Sequence, residues 1–258
     1  MKKIVFSIAC IMTMLLTSCF EETGYNQTQS FWRYVTIDTT GTTLRLKADC
    51  TGEVFDRISN LSMPEQLGNF GLSGSQRALV QLHVEINSSF AQRLTLLQGQ
   101  KIKTYPVTNQ EITDPLMHFA GLQSYIYNNN YAWVTDGFLN VMPITPSSNN
   151  VKYYLTAESA IGDTLVFNLN TTYSGNNTLY YDQLQCFDLR TLNDTINADD
   201  DMRVKMQKVL KAIEDHRSDS VRILLKGNYA QKSIYTGKDT IVYDNMAMTN
   251  YFYCNFIK

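Results

Sequence analysis

Few residues of this chain have the types and spacing that catalysis needs. The three histidines, His83, His118 and His216, are widely separated, and no two have a metal-ligand spacing such as H-E-x-x-H. Residues 71–75, Gly-Leu-Ser-Gly-Ser, resemble the turn that presents a nucleophilic serine, but the final glycine is missing. We therefore predict a loop there, and no catalytic residue, metal site or cofactor.

Paired carboxylates are the remaining catalytic possibility. Glycoside hydrolases use two acidic side chains about 5–10 Å apart, a distance that sequence spacing does not reveal. Glu158, Asp182 and Asp188 are candidates only in the sense that they are present. A glycan hydrolase therefore stays open as an alternative function.

One aromatic run could bind a ligand without catalysis. Residues 125–133 are Tyr-Ile-Tyr-Asn-Asn-Asn-Tyr-Ala-Trp, and flat rings beside amide groups suit sugar rings. The possible ligand-binding residues are Tyr125, Tyr127, Tyr131 and Trp133. The alternative is two strand ends around an Asn-rich turn, with the aromatic side chains in the core.

Four triplets in the second half of the chain consist of Asp, then Thr or Ser, then an aliphatic residue. They resemble the O-glycosylation acceptor motif of Bacteroidetes extracytoplasmic proteins, which makes Thr164, Thr195, Ser220 and Thr240 possible acceptors. The alternative is that Asp followed by Thr or Ser marks turns that lead into strands.

The N-terminus predicts export and lipid attachment. Lys2 and Lys3 precede an apolar stretch, residues 4–16, which is too short to span a bilayer and is typical of a secretory signal peptide. Residues 16–19, Leu-Thr-Ser-Cys, resemble a bacterial lipobox, which implies cleavage after residue 18 and acylation of Cys19. The alternative is an ordinary signal peptide with a cysteine nearby by chance.

The residues behind Cys19 indicate where in the cell envelope the protein would lie. Glu21 and Glu22 resemble the surface-export signal of Bacteroidetes lipoproteins, and an acidic solvated tether is the alternative. Residues 19–30 are polar and are interpreted as a lipidated tether. We expect an outer-membrane lipoprotein held by acyl chains such as palmitate, at the cell surface or on the periplasmic face.

Three cysteines remain after signal cleavage and acylation: Cys50, Cys186 and Cys254. Their wide spacing excludes a zinc motif. We expect buried free thiols that act as small apolar side chains. One disulfide between Cys186 and Cys254 is the alternative, because an oxidising compartment would allow it.

Short strands and turns must position all of these residues, so the predicted fold class is all-β. Alternating apolar residues predict five strands in residues 31–107, a number that suits a small OB-like barrel. Residues 108–118 are predicted as a linker. Residues 119–258 predict an immunoglobulin-like β-sandwich with a hairpin at Asp136-Gly137. One helix with an apolar stripe is predicted to begin near Asp199.

Composition and charge exclude some partners. The formal net charge of the chain is -2, and it becomes -4 when the two lysines of the signal peptide are removed. Nucleic-acid binding proteins need a strongly basic face, which an acidic exported chain does not offer. We therefore expect no nucleic-acid partner.

The layout resembles the NigD-like lipoproteins of Bacteroidetes over nearly the whole chain. The likeness rests on the lipobox, on the strand that contains Trp32, on Leu44-Arg45-Leu46, on residues 74–80 (Gly-Ser-Gln-Arg-Ala-Leu-Val) and on residues 136–141 (Asp-Gly-Phe-Leu-Asn-Val). It implies an N-terminal OB-type domain, a C-terminal β-sandwich and no established catalytic residues. Residues 48–55 depart from the family pattern, which leaves the strand register of the first domain open.

Non-catalytic binding is the function that these observations favour. A lipid anchor, two β domains and the missing catalytic constellation indicate a binding module for a protein or a glycan. One alternative is a glycan hydrolase that uses a carboxylate pair. Another, which follows from the family name, is a role in bacteriocin action or immunity.

Overall fold

The computed structural model of the chain describes most of the residues after the N-terminal segment. The described ranges are 27–41, 43–86, 92–125, 130–146, 150–173, 180–216, 220–232 and 239–257. The predicted signal peptide 1–18 and Cys19 lie outside these ranges, as do Tyr127 and the first part of the tether. Among the described helices, none is both long and apolar enough to cross a membrane.

The first half of the structure is an antiparallel sheet of five strands in the order β3-β2-β1-β4-β5. A 3₁₀ helix at Pro64–Phe70 lies between β3 and β4. The side chains of alternating strand residues pack into one core, which includes Val35, Leu46, Val80 and Leu96. The strand bounds are β1 Gln27–Asp38, β2 Arg45–Ala48, β3 Val54–Phe55, β4 Arg77–Ile86 and β5 Gln92–Lys101.

The predicted barrel is not closed by a ladder of strand hydrogen bonds. The two edges of the sheet meet at one parallel bridge between Ile58 and Leu94. Beside that bridge, the Asn60 side chain donates to the Leu96 carbonyl (2.8 Å) and accepts from the Leu96 N–H (2.9 Å). Strand β3 has only two residues and cannot supply a longer ladder, so a side-chain amide takes the place of a neighbouring strand.

The end of the first sheet differs from the sequence prediction. The sequence predicts five strands up to residue 107, but β5 ends at Lys101 and a sixth strand, β6 (Thr104–Pro106), follows. Strand β6 pairs in parallel with β13 (Gln185–Asp188), and Val107 is buried in the second core. The pairing partner lies about 80 residues further along the chain, which local periodicity does not reveal.

The second half contains two sheets that enclose a common core, with sandwich-like packing. One sheet has the order β10-β11-β14-β15. In the other, β9 is central and pairs with β7, β8, β12 and β13. The remaining bounds are β7 Gly121–Gln123, β8 Ala132–Thr135, β9 Phe138–Pro146, β10 Lys152–Ile161, β11 Thr164–Thr172, β12 Tyr180–Asp182, β14 Arg222–Lys232 and β15 Asp239–Met248.

Two parallel pairings distinguish this half from the purely antiparallel immunoglobulin-like sandwich. Strand β11 pairs in parallel with β14, and β13 pairs in parallel with β6. Parallel neighbours need a long crossover, and the chain between β11 and β14 contains the helix α1, Asp200–His216. The helix therefore belongs to the connection that makes this sheet mixed.

Two local predictions in the second half are confirmed. Asp136 and Gly137 have φ values of 48° and 84° and form the two-residue turn between β8 and β9, which is the geometry of a type I′ hairpin. Helix α1 is capped by Asp199, whose carboxylate accepts from the Met202 N–H at 2.7 Å. Its apolar stripe buries Met206, Val209 and Ile213 in the second core.

Removing the amide that covers the edge of β5 should weaken the first sheet. Asn60→Ala is expected to lower the free energy of unfolding by about 1–3 kcal/mol, because both backbone groups of Leu96 lose a partner. Urea denaturation measures the loss, and amide exchange should rise at Leu96. Ser59→Ala is the matched control, since its hydroxyl forms one exposed bond to Thr95 and should cost under about 0.5 kcal/mol. Equal effects of the two substitutions would contradict this role of Asn60.

Candidate functional site

Strand β1 presents two different faces, and the junction between the two halves is built on one of them. The odd-numbered side chains Val35 and Ile37 are buried in the first core. The even-numbered side chains point the other way, towards the second half. They pair across the sheet with β4 as Trp32 with Gln81, Tyr34 with Leu79 and Thr36 with Arg77. The junction therefore has a defined register along β1 and β4.

A buried cluster joins the two halves, and we call Thr36, Asp49, Arg77, Trp133 and Asn140 the junction cluster. The Arg77 guanidinium is completely buried and donates to both carboxylate oxygens of Asp49. It also donates to Thr36 Oγ1 at 3.0 Å and to Asn140 Oδ1 at 2.9 Å. Trp133 Nε1 donates to the second oxygen of Asp49 at 3.0 Å. Arg77 and Asp49 therefore each bond to one residue or more of both halves of the structure.

Electrostatics keep the charges of this cluster in place. Burial by itself would lower the pKa of Arg77, but the neighbouring charge of Asp49 outweighs burial and the pKa is raised. Cys186 lies beside the same guanidinium, and burial raises the pKa of its thiol to about 11 although Arg77 opposes this rise. The cluster thus contains an ion pair with a neutral thiol beside it, and these are groups that hold structure together.

Two of the segments that carry the sequence resemblance contribute residues to this cluster. Arg77 belongs to the segment 74–80 and Asn140 to the segment 136–141, which the hairpin at residues 136–137 presents. The structure brings the two segments into direct contact through one hydrogen bond. Asp49 follows β2 directly, in the segment before β3. Their contact could not be predicted from the sequence, because Arg77 and Asn140 are 63 residues apart.

An open cleft lies beside the junction cluster, and we call it the aromatic cleft. Its volume is about 300 Å³. Tyr125 stacks on Trp133 with ring centroids 4.6 Å apart, and Tyr34 lies 5.6 Å from Tyr125. The cleft is lined by residues from β1, β4, β7, β9 and β12 or next to them: Trp32, Tyr34, Leu79, Gln123, Ser124, Tyr125, Met142 and Asp182.

Exposure and protonation make this cleft suitable for binding. Trp32 is 40% exposed although it lies in the middle of a strand, whereas Trp133 is 3% exposed. Burial raises the pKa of the Tyr34 hydroxyl, and the charges of Asp182 and Asp49 raise it further. Tyr34 is therefore protonated at neutral pH and can donate a hydrogen bond.

The predicted aromatic run divides between core and surface. Tyr125 and Trp133 are buried, as in the alternative interpretation, and Tyr125 also borders the aromatic cleft. Tyr131 is 50% exposed and does not line this cleft, and Tyr127 lies outside the described residues. Trp32 and Tyr34 were missed as ligand candidates, although their alternation with Val35 already indicated that their face differs from the core face.

A second cleft contains charged side chains beside apolar ones. Lys47 Nζ lies 3.0 Å from Asp38 and 3.9 Å from Asp136, so one cation serves both carboxylates. Hydrogen bonds from the Thr40 hydroxyl and N–H, and then Lys47, lower the pKa of Asp38. A general acid for glycoside hydrolysis needs a raised pKa, so Asp38 is unsuited to that role.

The three carboxylates considered for hydrolysis have different surroundings. Glu158 accepts from Lys226 at 2.7 Å, and Asp188 accepts from Arg190. Asp182 borders the aromatic cleft. The described part of the chain also contains no group of three or more His, Cys, Asp or Glu side chains that could hold a metal ion.

The three cysteines of the described residues differ in burial. Cys186 and Cys254 are buried free thiols in the structure, so the alternative disulfide between them is not formed there. Cys50 is exposed, which differs from the expected burial.

Thr164 is the most covered of the three possible acceptors whose side chains the structure describes. It is 8% exposed, and its hydroxyl bonds to Asp163 and Arg222. Thr195 and Ser220 are half-buried, and the side chain of Thr240 lies outside the described residues. O-glycosylation at these positions stays a prediction.

Comparison with known proteins gives similarity at the level of structure only. No protein-family profile and no curated protein matches the sequence. A structure from Bacteroides fragilis named "Putative lipoprotein" has a TM-score of 0.50 at 8% identity, over 88% of this chain and 100% of that chain. This likeness concerns the fold alone.

Two further structures are similar over most of the chain. One is a "Putative TOXIN related protein" from Parabacteroides distasonis, with a TM-score of 0.46 and 14% identity over 88% of this chain and 96% of that chain. The other is a protein of unknown function, DUF1344, from Bacteroides vulgatus, with a TM-score of 0.42 and 12% identity over 84% of this chain and 90% of that chain.

Removing one charge from the junction cluster should destabilise the whole protein. Asp49→Ala is expected to lower the free energy of unfolding by about 3–5 kcal/mol, because it leaves the buried Arg77 charge uncompensated. Glu53→Ala is the matched control from the same turn, since it breaks the exposed Arg33–Glu53 pair and should cost under about 1 kcal/mol. Urea denaturation distinguishes them, and a small effect of Asp49→Ala would contradict the role assigned to the cluster.

Proposed function

We propose that this protein is a lipid-anchored binding module of the outer membrane, related to the NigD-like lipoproteins and exposed at the cell surface. The lipobox-like Leu-Thr-Ser-Cys segment and the acidic residues that follow it support the anchor and the address. The fold shared with a structure named as a lipoprotein is consistent with this proposal.

The aromatic cleft is the single observation that carries the binding role. It combines an exposed indole ring, a protonated tyrosine and one carboxylate at a junction that a buried ion pair keeps fixed. Preformed, mainly apolar clefts with a few polar groups are the usual form of ligand sites. The glycan hydrolase and the bacteriocin role stay predictions from the sequence.

The anchor has a direct test in the native host. Wild-type protein should fractionate with the outer membrane, need detergent for extraction and carry the mass of acyl chains. Cys19→Ala should abolish lipidation, because no thiol remains at residue 19 to be acylated, and should move the protein out of the outer-membrane fraction. Cys10→Ala is the matched control, since Cys10 precedes the cleavage point. Wild-type protein without any added lipid mass would contradict the anchor.

Binding at the cleft is tested by the fluorescence of Trp32. The chain has two tryptophans, and Trp133 is buried, so acrylamide should mainly quench Trp32. Solubilised cell-envelope material is separated into a protein fraction and a protease-treated polysaccharide fraction, and each is added to the purified protein. We expect one of them to protect Trp32 in a saturable way. Protection by neither fraction would contradict the binding role.

A further inference from the structure

The face of β1 and β4 that points away from the first core, which we call the outer face, continues the aromatic cleft. It carries a row of polar side chains around the exposed ring of Trp32. Gln81 lies opposite Trp32 in the register, and His83 lies opposite Ser30. The Gln98 amide of β5 donates to Gln81 Oε1 at 2.6 Å, and Ser30 Oγ lies 2.9 Å from His83 Nδ1. These side chains are ordered by each other before any ligand arrives.

This arrangement has the chemistry that recognises a sugar chain. A sugar ring has an apolar C–H face, which packs on an aromatic ring, and an edge of hydroxyl groups that both donate and accept hydrogen bonds. Trp32 supplies the ring, and the amides of Gln81 and Gln98 with the hydroxyl of Ser30 supply donors and acceptors. From Ser30 to Tyr34 the strand rises by about 13 Å, at roughly 3.3 Å per residue.

The charges around the ring distinguish between classes of glycan. The cross-strand pairs nearest to Trp32 carry amide, hydroxyl, apolar and imidazole groups, the last from His83, which is held by Ser30. A carboxylate, Asp182, borders the cleft at the Tyr34 end. Glu85 and Arg93 form a cross-strand pair of opposite charge further along the face. An anionic glycan would meet Asp182 without a matching cation among the residues that line the cleft, so the surface fits an uncharged chain better.

We propose that the ligand of this protein is a neutral glycan that lies along the outer face of β1 and β4. One sugar ring stacks on Trp32, the amides of Gln81 and Gln98 bond to its hydroxyl groups, and the chain ends in the aromatic cleft beside Asp182. This inference rests on the proposed binding function and names the class of its ligand.

The experiment titrates the purified protein with defined oligosaccharides and follows the Trp32 emission. The probes are maltoheptaose, cellohexaose and mannohexaose as neutral chains, and an oligogalacturonate as an anionic chain. We expect at least one neutral chain to give a saturable change and protection from acrylamide, with the oligogalacturonate at least about tenfold weaker. Equal or tighter binding of the anionic chain would overturn the proposal.

Substitutions locate the binding surface. Because removal of Trp32 also removes the fluorescent reporter, affinity is then measured by calorimetry. Trp32→Ala should weaken binding by at least about tenfold, which corresponds to the loss of one stacked ring and its apolar burial. Gln81→Ala should weaken it several-fold. Tyr253→Ala is the matched control, since it removes a ring that is 63% exposed outside this face, and should leave the affinity unchanged.

The outcomes separate the two proposals. If Trp32→Ala and Tyr253→Ala weaken binding equally, the site is not on this face and the inference fails. If no neutral oligosaccharide and no polysaccharide fraction binds, while the envelope protein fraction still protects Trp32, the binding function holds but its ligand is not a glycan. Thermal denaturation of each variant checks its folding. We expect both variants to fold, because Trp32 and Tyr253 are exposed.

Discussion

The buried guanidinium of Arg77 is the constraint on which the rest of the structure depends. A charge with no exposed surface is tolerated only where a counter-ion and hydrogen-bond acceptors surround it. Asp49 supplies the counter-ion from the first sheet, while Asn140 and Trp133 complete the arrangement from the second half. The two halves must therefore meet in one register, because a shift between them would leave the ion pair partly unsatisfied.

That fixed register gives the aromatic cleft its shape. Tyr125 stacks on Trp133, whose indole N–H bonds to Asp49, so the floor of the cleft is attached to the junction cluster. Trp32 and Tyr34 lie on the same strand face as Thr36, four and two residues before it. One β-strand thus contributes to the first core with one face and to the aromatic cleft with the other. Rigid surroundings reduce the ordering cost of binding.

Some features of this fold could be predicted from neighbouring residues, whereas others depend on residues far apart in the chain. The alternation in β1 and β4 and the hairpin at Asp136-Gly137 were predictable, because side-chain period and turn chemistry are properties of neighbouring residues. The contact between the two edges of the first sheet was not predictable, because the side chain of Asn60 bonds to the backbone of Leu96, 36 residues away. The parallel pairing of β6 with β13 was missed for the same reason.

By itself, the sequence determined the all-β class, the helix that begins near Asp199 and the alternating faces of the strands. Each of these follows from residue types within a few positions of one another. Only the tertiary structure decided that Arg77 and Asn140 meet in one buried cluster, that Tyr125 and Trp133 belong to the interior, and that Trp32 faces an open cleft. Such contacts join residues tens of positions apart, and their stability comes from desolvation and packing, which exist only once the chain has folded.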